Sequence, residues 1–112
     1  MSITGKKIYE EKGKRTKIEL IKDYGTYLSA RVYIAGHATR VYYNVNKNKV
    51  CKICGYSKHI EVCHIKPISE FDDNSSVFEM NHIDNLIGLC PNHHWELDNG
   101  FLTLISEKKT ER

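Results

Sequence analysis

Residues 90–100 read CPNHHWELDNG. Pro91 near the start and Gly100 at the end give the asymmetry of a short helix, with proline at its first turn and glycine past its last. The stretch begins with Cys90, and His93 follows across a two-residue gap. Upstream, Cys51 and Cys54 are separated by the same gap. Two such pairs supply a Cys3His set, which fills a tetrahedral zinc and leaves no open position, so the site is structural rather than catalytic. Two alternatives stay open on spacing alone. The cysteines could be reduced thiols in a core, or Cys63 could replace His93, although Cys63 has no paired knuckle. The chain between the pairs is longer than in a standard finger, so another element is inserted between the knuckles.

The residues around this frame divide into short elements. Ile60, Val62 and His64 alternate with Glu61, Cys63 and Ile65, a strand pattern that Pro67 closes. LIGLC, 86–90, is a short apolar strand, and one helical turn is expected at 76–81 within an otherwise polar connection. FLTLIS, 101–106, reads as a final strand or a cover over the core, and 107–112 as a frayed tail. Toward the N-terminus, TKIELIKDYG reads as a short helix capped by Thr16 and ended by Gly25. TYLSARVYIAGHATRVYYN reads as a longer amphipathic helix with Leu28, Ala35, Ala38, Val41 and Tyr42 on the apolar face, and Arg31, His37 and Arg40 on other sides. His37, His59 and His82 have no evident partner in the sequence.

The chain has 112 residues and a net charge of +3, which fits one small domain, a size at which a metal staple is a common support. The charge is uneven. Lys6, Lys7, Lys12, Lys14, Arg15, Lys17, Lys22, Arg31, Arg40, Lys47 and Lys49 face only Glu10, Glu11, Glu19 and Asp23 in the first fifty residues. Such a basic half suits a polyanion, although a solvated surface explains it equally well. No apolar run approaches the ~20 residues of a membrane helix. The start is basic without an apolar segment, so a cytoplasmic location is expected, and there the CxxC pair favours metal over disulfides.

From CKICGYSKHIEVCHIKPISEF through NHIDNLIGLCPNHHWELDNG, about half of the chain, the sequence resembles the HNH endonuclease family and its ββα-metal core. The resemblance implies an α+β fold: a ββα-metal core stapled by structural zinc and preceded by basic helices. It places the three motif positions on His64, Asn85 and His94. Asn85 is implied to orient His64 and tie the loop to the strand, and His64 suits a general base because a neutral imidazole accepts a proton near pH 7. His93 then closes the zinc site with Cys51, Cys54 and Cys90. His94 is left to hold a catalytic divalent ion together with Asp98, its neighbour at i+4 on the helix face. Magnesium or manganese is the expected ion, with other divalent ions open. The implied partner is double-stranded DNA, cleaved by hydrolysis of its phosphodiesters, with no membrane and with a homodimer left open.

One position departs from the family pattern. Many members carry aspartate, a metal ligand, immediately before the base histidine, and here it is Cys63. A thiol is a poor ligand for hard ions, so Cys63 is expected to pack and the ion to rest on His94 and Asp98. The domain expectation is a basic helical part over 1–48, the zinc-containing nuclease core over 49–106 and the tail over 107–112. The rival function is a non-catalytic, zinc-stabilised nucleic-acid-binding module, which has no use for His64, Asn85 and His94 together.

Overall fold

A computed structural model describes residues 13–102. It contains helix α1 (Lys17–Tyr24), helix α2 (Tyr27–Val45), strand β1 (Glu61–His64), a single helical turn α3 (Val77–Met80), strand β2 (Leu86–Leu89) and helix α4 (Pro91–Asp98). Short 3-10 turns occupy Ile68–Glu70 and Ile83–Asn85. The strands form one antiparallel pair, in the register Glu61↔Leu89, Val62↔Gly88, Cys63↔Ile87 and His64↔Leu86. The fold is thus α+β, with a hairpin followed directly by a helix. No helix among the described residues is long and apolar enough to cross a membrane.

Local chemistry accounts for the helix ends. Thr16 and Glu19 cap α1 reciprocally, each side chain taking the other's backbone N–H, and Ser76 and Glu79 do the same for α3. These bonds hold the Glu19 carboxyl below its usual range, with the Thr16 backbone N–H the largest influence. Gly25 closes α1 at φ +88°, a left-handed conformation that glycine enters at no steric cost, and its N–H bonds to the Ile21 carbonyl. Pro91 stands at the first turn of α4, as the sequence predicts.

Three buried clusters hold these elements together. Leu20, Ala30, Ile34, Ile68, Val77 and Met80 join α1 and α2 to the connection between the strands. Ala38, Tyr42 and Leu86 join the C-terminal half of α2 to the hairpin. Cys51, Cys63, Leu89 and Cys90 form the third, with Leu97 of α4 against it. The second contact is close. A Cβ on Gly88 would lie 3.1–3.2 Å from the Tyr42 ring edge, its hydroxyl and the Ile60 side chain, so a glycine there lets α2 settle onto β2. Lys17 is buried, and its Nζ donates to the carbonyls of Ile68, at 3.2 Å, and Phe71, at 2.7 Å.

The long helix forms where expected but buries a different face. Leu28 is 67% exposed and Ala35 is also exposed, while Ala30, Ile34, His37, Ala38 and Tyr42 face inward. The two stripes share Ala38 and Tyr42 and have the same period. The observed one admits a histidine because Asn81 meets that ring inside the core. The basic half is likewise smaller than its count suggests: Lys17 is buried, and Arg15 pairs with Asp23 and, at 3.6 Å, with Glu19. Lys6, Lys7, Lys12, residues 103–106 of the expected last strand and the 107–112 tail lie outside the described residues.

Candidate metal centre and active-site cleft

Cys51, Cys54, Cys90 and His93 converge, their ligand atoms all within 4.8 Å of one another. Among the described residues no other group of three or more such side chains is so placed. Tetrahedral zinc with bonds of about 2.3 Å to sulfur and 2.0–2.1 Å to nitrogen sets its ligand atoms roughly 3.5–3.8 Å apart. His93 Nδ1 lies 3.5 Å from Cys51 Sγ and 3.3 Å from Cys90 Sγ, and the Cys54 and Cys90 sulfurs are 3.9 Å apart. The donor set and its spacing therefore fit zinc. The knuckle turn is made by Gly55 at φ +80°, whose N–H bonds to the Cys51 carbonyl. Burial opposes ionisation of Cys51, but the backbone N–H groups of Cys90, Cys54 and Ile53 outweigh it and hold the thiol down to about 6. These donors favour the thiolate of Cys51, the form that binds metal. Cys63 is not part of this cluster. Burial, with the charges of Asp98 and Glu61 adding to it, pushes its thiol up to about 12.

Beside this cluster, and sharing Cys63 with its buried core, lies a cleft of about 400 Å³. Tyr27, Arg31, Val32 and Ala35 of α2 form one wall, Val62, Cys63 and His64 of β1 the floor, and His94 and Asp98 of α4 the opposite wall. Pro67, Ile68 and Ser69 complete the rim. His93 and His94 thus face different sites from one helix turn, as their ~100° separation requires. His94 Nε2 is 3.2 Å from Asp98 Oδ2, and its Nδ1 is 2.5 Å from Glu61 Oε1. Glu61 also meets His59 Nε2 at 3.0 Å. The bond to His94 is the largest influence on Glu61 and, against partial burial, keeps its carboxyl below the usual range. With Nδ1 donating to Glu61, Nε2 of His94 presents a lone pair beside a carboxylate oxygen, a pair of donors suited to a divalent cation with open positions.

His64 ends β1 and is mostly enclosed. Burial lowers its pKa from the ordinary 6.5, a hydrogen bond to Asn81 opposes the shift, and the charge of Arg31 adds to it. The imidazole is therefore neutral at neutral pH and able to accept a proton. Its Nε2 is 2.6 Å from Asn81 Oδ1. Asn81, 2% exposed, also reaches the Ile34 carbonyl at 3.0 Å and His37 Nδ1 at 2.9 Å through its Nδ2.

Asn85 stands elsewhere. Its Oδ1 accepts the Lys66 N–H at 2.7 Å, and its Nδ2 donates to the carbonyls of Met80 at 2.9 Å and Lys66 at 3.2 Å. These bonds join the loop to Lys66, just beyond β1, whereas the side chain bonded to His64 is Asn81. Sequence reasoning also missed Glu61, Arg31 and His37. Glu61 alone carried a signal, since it shares a strand face with Cys63, the residue just before His64. Arg31 and His37 come from α2, far away in the sequence.

Residues 51–105, about half of the chain, match a family model described as HNH endonuclease. No curated protein and no solved structure matches the chain significantly. The matched segment contains both knuckles, the two strands of the hairpin and the helix that carries His93 and His94, and the hairpin–helix geometry agrees with what the sequence implied. This segment of the chain, residues 51–105, belongs to the HNH endonuclease family.

Proposed function

We propose that the protein is a metal-dependent endonuclease that hydrolyses DNA phosphodiester bonds, with His64 as general base. The observation that carries this reading is the convergence of His64, His94 and Asp98 on one cleft, with Arg31 on its wall. His64 takes a proton from a water on the ring nitrogen turned away from Asn81, and the oxygen of that water attacks phosphorus. The bond from phosphorus to the 3′ oxygen breaks, and that oxygen leaves and takes up a proton from solvent. His94 Nε2 and an Asp98 carboxylate oxygen would hold the divalent ion, which supplies Lewis-acid stabilisation of the charge gathering on the phosphate and the leaving oxygen. Magnesium or manganese suits a pair with one hard carboxylate. Glu61 keeps His94 turned toward the ion, and Arg31 offers a fixed positive charge to the substrate phosphate.

Zinc on Cys51, Cys54, Cys90 and His93 serves the fold and takes no part in the chemistry. The four free thiols, three of them gathered as ligands, suit a reducing cytoplasm. Double-stranded DNA is the proposed substrate, approached along the basic residues of α2 and the segment after it: Arg31, Arg40, Lys47 and Lys49. We take residues 1–48 and 49–106 as two parts of one working unit, because α2 forms a wall of the cleft.

Plasmid digestion tests the reading. Cleavage is expected with magnesium or manganese, absent with EDTA, and reduced about 10²–10⁴-fold in a folded His64→Ala protein. Full rates in that variant would remove His64 from the mechanism. Salt-sensitive DNA binding without cleavage under any divalent ion would leave the non-catalytic zinc-stabilised module instead.

A further inference from the structure

We propose that Asn81, held by His37 and the Ile34 carbonyl of α2, is a positioning residue that fixes the tautomer of His64. The helix outside the family-matched segment then sets up the base. The argument begins at an atom with one role. The Ile34 carbonyl can only accept, so the Asn81 atom 3.0 Å from it must be the amide nitrogen. The same nitrogen is 2.9 Å from His37 Nδ1 and donates its second proton there, which makes that ring nitrogen an acceptor. Both amide protons are thereby used, and the amide cannot flip without setting its oxygen against a carbonyl. Asn81 Oδ1 is then fixed toward His64 Nε2 at 2.6 Å, and an amide oxygen can only accept. His64 must carry its proton on Nε2, and its Nδ1 keeps the lone pair.

Burial gives this chain its authority. Asn81 is 2% exposed and His37 1% exposed, so water does not compete for either. A buried amide with every polar group satisfied is costly to rearrange, and its geometry passes to whatever it touches. The hydrogen-bonding order is Ile34 and His37 of α2, then Asn81 at the end of α3, then His64 of β1. None of the first three is a motif position. The consequence for cleavage rests on the nuclease reading above, whereas the tautomer itself does not.

The test is long-range proton–nitrogen NMR of the imidazoles in the zinc-loaded full chain near neutral pH, with the His64 signals assigned by their loss in His64→Ala. The expected spectrum has His64 protonated on Nε2 and bare on Nδ1. Asn81→Leu is expected to give a mixture of tautomers and to lower kcat on the order of 10²-fold with KM little changed, between the loss of an outer partner and the loss of a triad's tautomer lock. Should Asn81→Leu fail to fold, His37 decides. His37→Leu disturbs the His64 tautomer, and His37→Gln, which keeps an acceptor for the Asn81 amide, restores it. A wild-type His64 protonated on Nδ1, or an Asn81→Leu protein with an unchanged His64 spectrum, overturns the proposal. An inactive wild type with the expected spectrum would sink the nuclease reading and leave the positioning of His64 standing.

Discussion

His93 and His94 are adjacent in the chain, yet they belong to two sites assembled by different means. The zinc-type cluster is made of two local pairs, each a tight turn with ligands at fixed spacing. The cleft is made of single side chains from α2, β1 and α4, each aimed by a partner elsewhere: Glu61 for His94 and Asn81 for His64. The first kind of site carries its geometry in short sequence intervals. The second borrows it from the packing of the whole fold. A defect in the first should therefore appear as unfolding, and a defect in the second as lost chemistry in an intact protein.

The sharpest way to break this contrast is to exchange the roles of the two histidines. His93→Ala should release zinc and unfold or aggregate the chain, because structural zinc contributes on the order of 10 kcal/mol to folding in small domains. His93→Cys should be tolerated, as it completes a four-thiolate set. His94→Ala should keep one zinc per chain and a native melting curve while cleavage fails. Zinc analysis and thermal melting of the three variants settle the matter, and zinc loss from His94→Ala would mean that the roles are reversed.

The next effect concerns the support of the cleft. Glu61→Ala removes the acceptor that turns His94 and should weaken divalent-ion affinity or activity by about 10–100-fold without loss of zinc. Titration of cleavage against manganese concentration measures it. If metal dependence is unaltered, Glu61 is only a surface carboxylate. A smaller effect should come from the seam between the two parts. Gly88→Ala forces Tyr42 and Ile60 aside and should destabilise by about 1–3 kcal/mol in chemical denaturation. A neutral result would show that α2 is free to shift on the hairpin.

The mildest prediction is one of pH. Burial, against the Asn81 bond, lowers the His64 pKa from 6.5, so the acid limb of kcat/KM should fall below pH 6.5. The same shift couples to stability. Below 6.5 the unfolded chain binds a proton that the folded chain refuses, so this contribution to stability is full at higher pH and is lost as pH falls toward the folded pKa. An acid limb above 6.5 would contradict the enclosed, neutral His64.

Much of the frame was legible because it is written in local chemistry. Thr16, Gly25, Pro91 and Gly100 mark helix ends by what their own atoms can do, and the CxxC and CxxH pairs mark a ligand set by interval. The face of α2 was not legible. Two overlapping stripes have the same period, and only the arrival of Asn81 from beyond β1 makes a buried histidine tolerable on one of them. Asn81 itself carries no spacing signal relative to His64, because the turn that joins them is set by Lys66, Met80 and Asn85 together. Arg31 reaches the cleft only after α2 has settled on the hairpin, which no window of sequence encodes.

Lys17 has a practical use that follows from its burial. The residue is 7% exposed, its amine donates to the Ile68 and Phe71 carbonyls, and Ile68 lies on the rim of the cleft. An acylating reagent should therefore label Lys22, Lys47 and Lys49 on the folded protein within a short exposure and reach Lys17 only when the α1 contact opens. The ratio of labelled Lys17 to labelled Lys22, read by mass spectrometry, is then a footprint of rim integrity that needs neither substrate nor metal. It can report on any of the variants above in a crude extract, before a nuclease assay is attempted.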